Sequence, residues 1–242
     1  DLLLWLISFS SESTYLETWL SSITQNESLI LFILGIIVSI FLLFVIRYRN
    51  GNRLFNTGDG YFNYDLPFYW VAAIVLGYGK LTLIRIPIYL QYKLLFKDWF
   101  PEILVDNNIE TSTETPIVIE KNIDGNGNEI NFILSDTYEI KIEDIPIDKR
   151  NLPTVIIQRT SEFKGVRIYN PKFISCIREK TNYYRMLYTN VNIYATTNTN
   201  HNKEIILKCF KNGNRTGFEH INVYEQGNKG RNYYFFKKHR IK

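Results

Sequence analysis

The chain has 242 residues, with 28 Lys and Arg against 24 Asp and Glu, a formal net charge of +4. That length is too great for one small domain and short of two large ones, and the mean hydropathy of −0.14 averages a greasy first hundred residues with a polar remainder. Cys176 and Cys209 are the only cysteines; two isolated thiols exclude a disulfide framework and cannot alone build a zinc site, so both read as small core residues.

The opening Leu2-Leu3-Leu4-Trp5-Leu6-Ile7 has no basic stretch before it and no small-residue cleavage site after it. It reads as an interfacial helix or the tail of a truncated span rather than a signal peptide. Residues 1–27 form an extramembrane N-terminal segment. From Ser28 to Ile46 the sequence runs for 19 residues without a charge, about 28 Å of helix against a hydrocarbon core of roughly 30 Å. This is a transmembrane helix, and Gly35 and Ser39 form a small-xxx-small pair that lets another helix approach. Before it stand Asp1, Glu12, Glu17 and Glu27 with no Lys or Arg; after it come Arg47, Arg49 and Arg53. Positive charge stays on the inner side, so the N-terminus is expected outside and the large domain inside, in the cytoplasm, matrix or stroma.

A basic loop spans 47–65, and a second membrane-associated region spans 66–100. Asp65 and Pro67 suit a helix start, and Pro87 should kink any helix continuing past it. Two readings compete for this stretch. One is an imperfect second span over Leu66–Ile86 with Lys80 and Arg85 snorkelling. The favoured one is an interfacial amphipathic helix with Trp70, Tyr89, Tyr92 and Trp99 at headgroup level beside Arg47 and Arg49. Membrane lipids are then a direct partner.

Residues 101–115 read as an acidic linker. Beyond it lies a β-rich domain, 116–242. Pro116–Ile123 and Ile130–Leu134 flank an Asn/Gly turn as a hairpin. Tyr138, Ile140 and Ile142 alternate with charged residues, and further runs lie at Thr154–Arg159, Val166–Tyr169 and Tyr188–Tyr194. Phe173–Arg178 fits either strand or helix. Glu204–Lys211, Phe218–Glu225 and Asn232–Arg240 read as a three-stranded antiparallel meander. About eight strands at this spacing predict an antiparallel β-barrel or β-sandwich.

Charge divides the domain. Residues 101–150 hold 12 acidic and 4 basic residues, whereas 201–242 hold 10 basic and 3 acidic. The chemistry tested is mostly rejected. Asp124, Asn126 and Asn128 mimic a calcium loop, but Glu129 stands where its glycine is due and Ser135 where its bidentate acid is due. No dinucleotide fingerprint, phosphate loop or nucleophile elbow occurs. His201, His220 and His239 stand singly, each structural or solvent-exposed. No catalytic residue, metal site or cofactor is expected. Arg215, Lys229, Arg231, Tyr233, Lys237 and Lys238 make a basic-aromatic end that could contact an anionic ligand, anionic lipid or a protein partner.

These features favour a non-catalytic subunit of a membrane assembly whose β domain docks other membrane-protein subunits, with a homo-oligomer possible. The order of parts, a membrane region followed by a compact β domain, is similar to effectors of bacterial nucleotide-signalling antiphage defence. That resemblance lies in layout alone, with no motif behind it. It implies a domain that binds a cyclic nucleotide, oligomerises and disrupts the membrane, with Lys229, Arg231, Arg215 and Tyr233 as ligand contacts. A nucleotide or nucleic-acid partner is the less favoured alternative, and a membrane-tethered enzyme is a third.

Overall fold

The computed structural model describes residues 22, 27–106, 109–123, 127–160, 165–211, 217–229 and 232–242. Helix α1, Glu27–Asn50, carries the uncharged run. Its Leu31–Asn50 stretch is long and apolar enough to cross a membrane and is not buried against the rest of the chain. Ser39 donates its hydroxyl to the Gly35 carbonyl at 2.7 Å, so the polar group is satisfied inside its own helix, as a lipid setting requires.

The end of α1 is fastened to the next elements. Helix α2, Leu66–Trp70, has Pro67 in its first turn and passes into a wider π turn at Val71–Val75. The Arg47 guanidinium donates to the Ile74 carbonyl, and the Asn50 amide donates to the Leu76 carbonyl at 2.9 Å, which satisfies carbonyls the helix end leaves open. Gly77 then turns the chain at φ +73. Strand β1, Lys80–Thr82, helix α3, Ile88–Lys97, and strand β2, Glu102–Leu104, follow, with β1 and β2 parallel neighbours.

This corrects the reading of 66–100. The second span is broken by Gly77 and β1, and its longest apolar helical piece is Leu66–Val75. Pro87 does not kink a helix; it caps the start of α3. Leu81, Leu83, Leu90, Leu94 and Leu95 are buried in one core with the main sheet. The expected linker likewise contributes β2 and a short strand β3, Glu110–Thr111, which pairs with β7, Ile168–Tyr169.

The main sheet contains β4 (Ile117–Lys121), β5 (Glu129–Ser135), β6 (Thr154–Gln158), β8 (Asn190–Ala195), β9 (His220–Lys229) and β10 (Asn232–Arg240) in the order β10-β9-β8-β5-β6-β4. The four central strands are parallel; β10 and β4 are antiparallel edges. Among the described residues it is an open mixed sheet with no closed barrel. The expected hairpin fails because β4 pairs with β6.

Two helices explain most of the difference. Asn170 accepts from the Lys172 and Phe173 amides, at 2.9 and 3.3 Å, and caps α4, Pro171–Tyr184, which resolves the Phe173–Arg178 ambiguity. Its buried Phe173, Ile174, Ile177, Thr181 and Tyr184 follow a helical period. Asn198 accepts from the His201 amide at 3.0 Å and caps α5, Thr199–Glu204, which widens into a π turn at Ile205–Phe210. Buried Ile205, Ile206 and Cys209 again mark one helical face, so the first strand of the expected meander is a helix. Only β9 and β10 remain as its antiparallel pair.

Helices α3, α4 and α5 cover one face of the sheet over Phe132, Leu134, Val155, Ile193 and Val223. The other face packs Ile133, Ile156, Tyr194 and Tyr224 against Ile140 and Ile145. These come from a segment with two single turns, Ile142–Asp144 and Ile147–Lys149, where a strand was expected. A polar ladder runs across the parallel strands in register. The Asn222 amide donates to Asn192 at 3.1 Å, Asn192 to Asn131 at 3.4 Å, and Asn131 to the Thr154 hydroxyl at 3.2 Å. A one-residue slip would break every rung.

Candidate ligand cleft at the strand ends

From β5 the chain moves to β6 on one side, then crosses back through α4 to β8 on the other. Neighbouring loops at the carboxyl ends of β5 and β8 therefore diverge. In open sheets with parallel strands this is where a ligand crevice forms. The loops are Asp136-Thr137-Tyr138 and Thr196-Thr197-Asn198.

A buried network fixes them. Asp136 Oδ2 accepts from the Asn198 amide nitrogen at 3.1 Å and its side-chain nitrogen at 2.9 Å, and meets His201 Nδ1 at 2.8 Å. His201 Nε2 accepts from the Asn170 backbone N–H at 2.8 Å. The proton therefore sits on Nδ1 and is donated to Asp136. With both ring nitrogens engaged and 0% of the residue exposed, His201 cannot act as a general base toward a ligand. It positions the loops, the structural one of the two roles expected for it.

Above this network opens a cavity of about 270 Å³ lined by Tyr61, Arg85, Gln91, Thr137, Arg167, Thr196, Thr197, Asn198, Thr199 and Gln226. A second compartment of about 390 Å³ adjoins it, sharing Tyr61, Ile86, Ile88 and Gln226 and adding Asn63, Tyr89, Tyr224 and Glu225. Two polar atoms are buried here without a hydrogen-bond partner among the described residues, Thr199 Oγ1 and Gln226 Nε2; Thr199 is only 7% exposed. Orphaned buried polar groups are costly and call for an explanation. Arg85, held at φ +63, donates to the Gly58 carbonyl at 2.9 Å and to Asp59 at 2.8 Å. Arg167 lies 4.0 Å from Asp106 with about half its side chain exposed.

Chemically the cleft offers two guanidinium groups, a run of hydroxyls, aromatic rings and one carboxylate, a set suited to holding a phosphorylated ligand. No cluster of three or more His, Cys, Asp or Glu able to hold a metal occurs among the described residues.

The structure scatters the sequence-derived site residues. Gly35 and Ser39 lie on α1. Arg47 is committed to the Ile74 and Val75 carbonyls of the π turn, and Arg49 is exposed at the end of α1. Trp70 is 44% exposed near the foot of α1. Tyr89 stacks on His239, ring centroids 3.7 Å apart. Tyr92 is fully buried, so it cannot lie at headgroup level: its ring belongs to the core. Trp99 packs partly buried against the same core. Lys237 and Lys238 are exposed on β10, opposite Glu225 and Tyr224. Arg215, Arg231 and the side chains of Lys229 and Tyr233 lie outside the described residues. Sequence reasoning missed Asp136, Asn198, Thr199, Arg85, Arg167 and Glu225. The one available signal was the run Thr196-Thr197-Asn198-Thr199 between an apolar strand and a helical period, a helix-start signature.

Fold and cleft together define an α/β protein with a long apolar N-terminal helix and a strand-end crevice. The sequence profile of the SUa-2TM family, the SMODS- and ubiquitin system-associated 2TM effector domain, matches residues 3–242. The chain belongs to that family. The 2TM description and the apolar α1 together support membrane association. No curated protein matches the chain. Among solved structures it is similar to the Acinetobacter baumannii Cap4 SAVED/CARF-domain containing receptor with the cyclic trinucleotide 2'3'3'-cAAA, at 12% identity and TM-score 0.45. That match covers 71% of this chain and 41% of the receptor. The same receptor with 3'3'3'-cAAA gives 12% identity, TM-score 0.43, and coverage of 68% and 39%. The Moraxella osloensis Cap4 receptor gives 11%, 0.37, 68% and 37%. The chain thus spans about two fifths of the length of these receptors.

Proposed function

We propose that this chain is a membrane effector whose α/β domain binds a nucleotide signal in the strand-end cleft and passes its occupancy to the membrane segment. The family is one of effectors, which favours this reading over a docking subunit of a larger assembly. The observation that carries the ligand assignment is the cleft at the β5/β8 divergence, where Arg85 and Arg167 stand beside hydroxyls and two buried polar atoms lack partners among the described residues. Phosphate oxygens would satisfy the Thr199 hydroxyl and pair with the guanidinium groups. The cationic Arg47, Arg49 and Arg53 at the foot of α1 favour an α/β domain on the inner side, which would set Trp70 beside the lipid headgroups.

The route to the membrane is short. Ile84, Arg85, Ile86 and Ile88 line the cleft and directly continue β1. The start of β1 rests on the chain leaving α1, through the Leu54–Lys80 bridge and the Phe55 amide donating to the Lys80 carbonyl at 2.9 Å. The test is calorimetry on the full chain in nanodiscs with a panel of cyclic di- and trinucleotides. Binding of a panel member, weakened about ten- to hundredfold by Arg167→Ala as one charged hydrogen-bond partner is lost, supports the reading. Absence of heat from every member removes it.

A further inference from the structure

Within that cleft, and resting on the nucleotide reading, the compartment beside β9 has a chemistry of its own. Glu225 and Gln226 both line it. The carboxylate is fixed from behind: His239 Nε2 meets Glu225 Oε2 at 2.8 Å, with His239 about one tenth and Glu225 one quarter exposed. The imidazole is itself clamped by the Tyr89 ring, 10° from coplanar at 3.7 Å, and Tyr89 donates its hydroxyl to Asn63 at 2.9 Å. Lys237 stands opposite Glu225 in the β9–β10 ladder, so the two share a face of the sheet. The carboxylate is therefore oriented and kept beside positive charge, yet lies in a compartment it does not share with either cleft arginine. A carboxylate intended for phosphate would repel it; one held in a side compartment is placed for a different part of the ligand.

We propose that this compartment is a base-recognition subsite and that it selects guanine. An ionised carboxylate only accepts hydrogen bonds, and a side-chain amide nitrogen only donates. Glu225 thus brings carboxylate acceptors, Oε2 of them already meeting His239. Gln226 Nε2, which leaves β9 on the alternate side but lines the same compartment, is a buried donor without a partner among the described residues. Guanine carries the complement along one edge, the N1–H and N2–H donors beside the O6 acceptor. Adenine offers one amino donor beside the N1 acceptor and so fills a single carboxylate oxygen, and uracil has one N3–H donor flanked by two carbonyl oxygens that face the carboxylate. The rings of Tyr61 and Tyr224 at the same compartment supply the apolar surface that a base plane needs.

Full-length protein in nanodiscs is titrated with cyclic diguanylate, cyclic diadenylate and mixed cyclic guanylate-adenylate. The expected result is at least about tenfold tighter binding of the two guanine-containing ligands, the effect of one charged hydrogen bond. Glu225→Gln should erase that preference, Gln226→Leu should narrow it, and Arg167→Ala should weaken all three ligands alike. Diadenylate binding as tightly as the others, or a preference unchanged in Glu225→Gln, overturns the guanine assignment and leaves the cleft reading standing. No binding of any cyclic nucleotide overturns both.

Discussion

Replacing Gly79 by Ala probes the joint between anchor and domain. A Cβ there would lie 1.9 Å from the Gly51 carbonyl oxygen and 3.0 Å from its carbon. Real Cβ contacts essentially never fall below 3.0 Å, so the two backbones must separate by 3.0 − 1.9 = 1.1 Å. Neither can move alone. The Gly79 amide donates to the Asn50 carbonyl at 3.4 Å, its carbonyl accepts from Glu102 at 3.0 Å, and Lys80 donates to Arg53 at 3.3 Å. Overpacking of this kind, with backbone hydrogen bonds stretched, costs about 2–4 kcal/mol. For a chain of this size that corresponds to a melting temperature lower by about 4–16 °C. The assay is thermal unfolding of the detergent-solubilised protein, with Gly60→Ala as control because a Cβ at Gly60 meets nothing within 4 Å. If Gly79→Ala melts with Gly60→Ala and wild type, the joint is not close-packed and the proposed route from cleft to membrane loses its rigid link.

Three further outcomes are expected. His201→Ala leaves the buried Asn170 amide without its partner, at about 1–3 kcal/mol, and takes one of three contacts from Asp136 Oδ2, at about 1 kcal/mol. Urea unfolding should show a loss of about 2–4 kcal/mol; a loss below the 1 kcal/mol level would show that the network does not hold the cleft loops. Asn192→Ala orphans the Asn222 amide and the Asn131 carbonyl oxygen in mid-sheet and should cost about 2–4 kcal/mol by the same measurement. Burial holds the His239 pKa below the usual 6.5, with Glu225 opposing and Lys93 and Lys237 assisting. Between the folded value and 6.5 the unfolded chain binds the extra proton, so stability present above pH 6.5 is lost as pH falls through that window. His239→Gln should flatten the slope of urea midpoint against pH below 6.5, and an unchanged slope would exclude His239 as its source.

The apolar helix α1 was legible because 19 uncharged residues need no tertiary context to declare themselves. The soluble domain was half legible. Runs such as Thr154–Gln158 and Asn190–Ala195 are strands, but parallel strands buried on both faces lose the alternation that marks direction and partner. Ile205-Ile206-Leu207 read as strand because short apolar runs do not distinguish strand from helix; only the Asn198 cap and the spacing to Cys209 decide it. Tyr92 and Trp99 looked interfacial because aromatics interleaved with Lys93 and Lys97 imitate a membrane-surface helix. In the fold those aromatics turn inward, and Lys93 remains partly exposed. The cleft was illegible for a different reason. Asp136, Asn198 and His201 meet across some 62 to 65 positions, and nothing in their local sequence announces the switch in strand order that joins them.

That switch also bears on how an occupied cleft could act on a membrane. The cavity has two kinds of wall. Thr196–Thr199 and Gln226 belong to the main sheet and its α5 cap, whereas Ile84–Ile88 leads out of β1, which is bonded to the anchor joint. A ligand touching both walls favours one separation between them, and it shifts the equilibrium only by its differential affinity for that separation. If the β1 wall moved independently of the anchor, the Phe55–Lys80, Gly79–Asn50 and Lys80–Arg53 bonds would all have to break, at roughly 1 kcal/mol apiece. Moving the foot of α1 with β1 breaks none of them. With α1 in a bilayer, as proposed, a fluid medium would resist that motion far less than a packed core. Under the proposed function the cheaper response to ligand is therefore a displacement of the helix foot, the form of output that an effector in a bilayer would require.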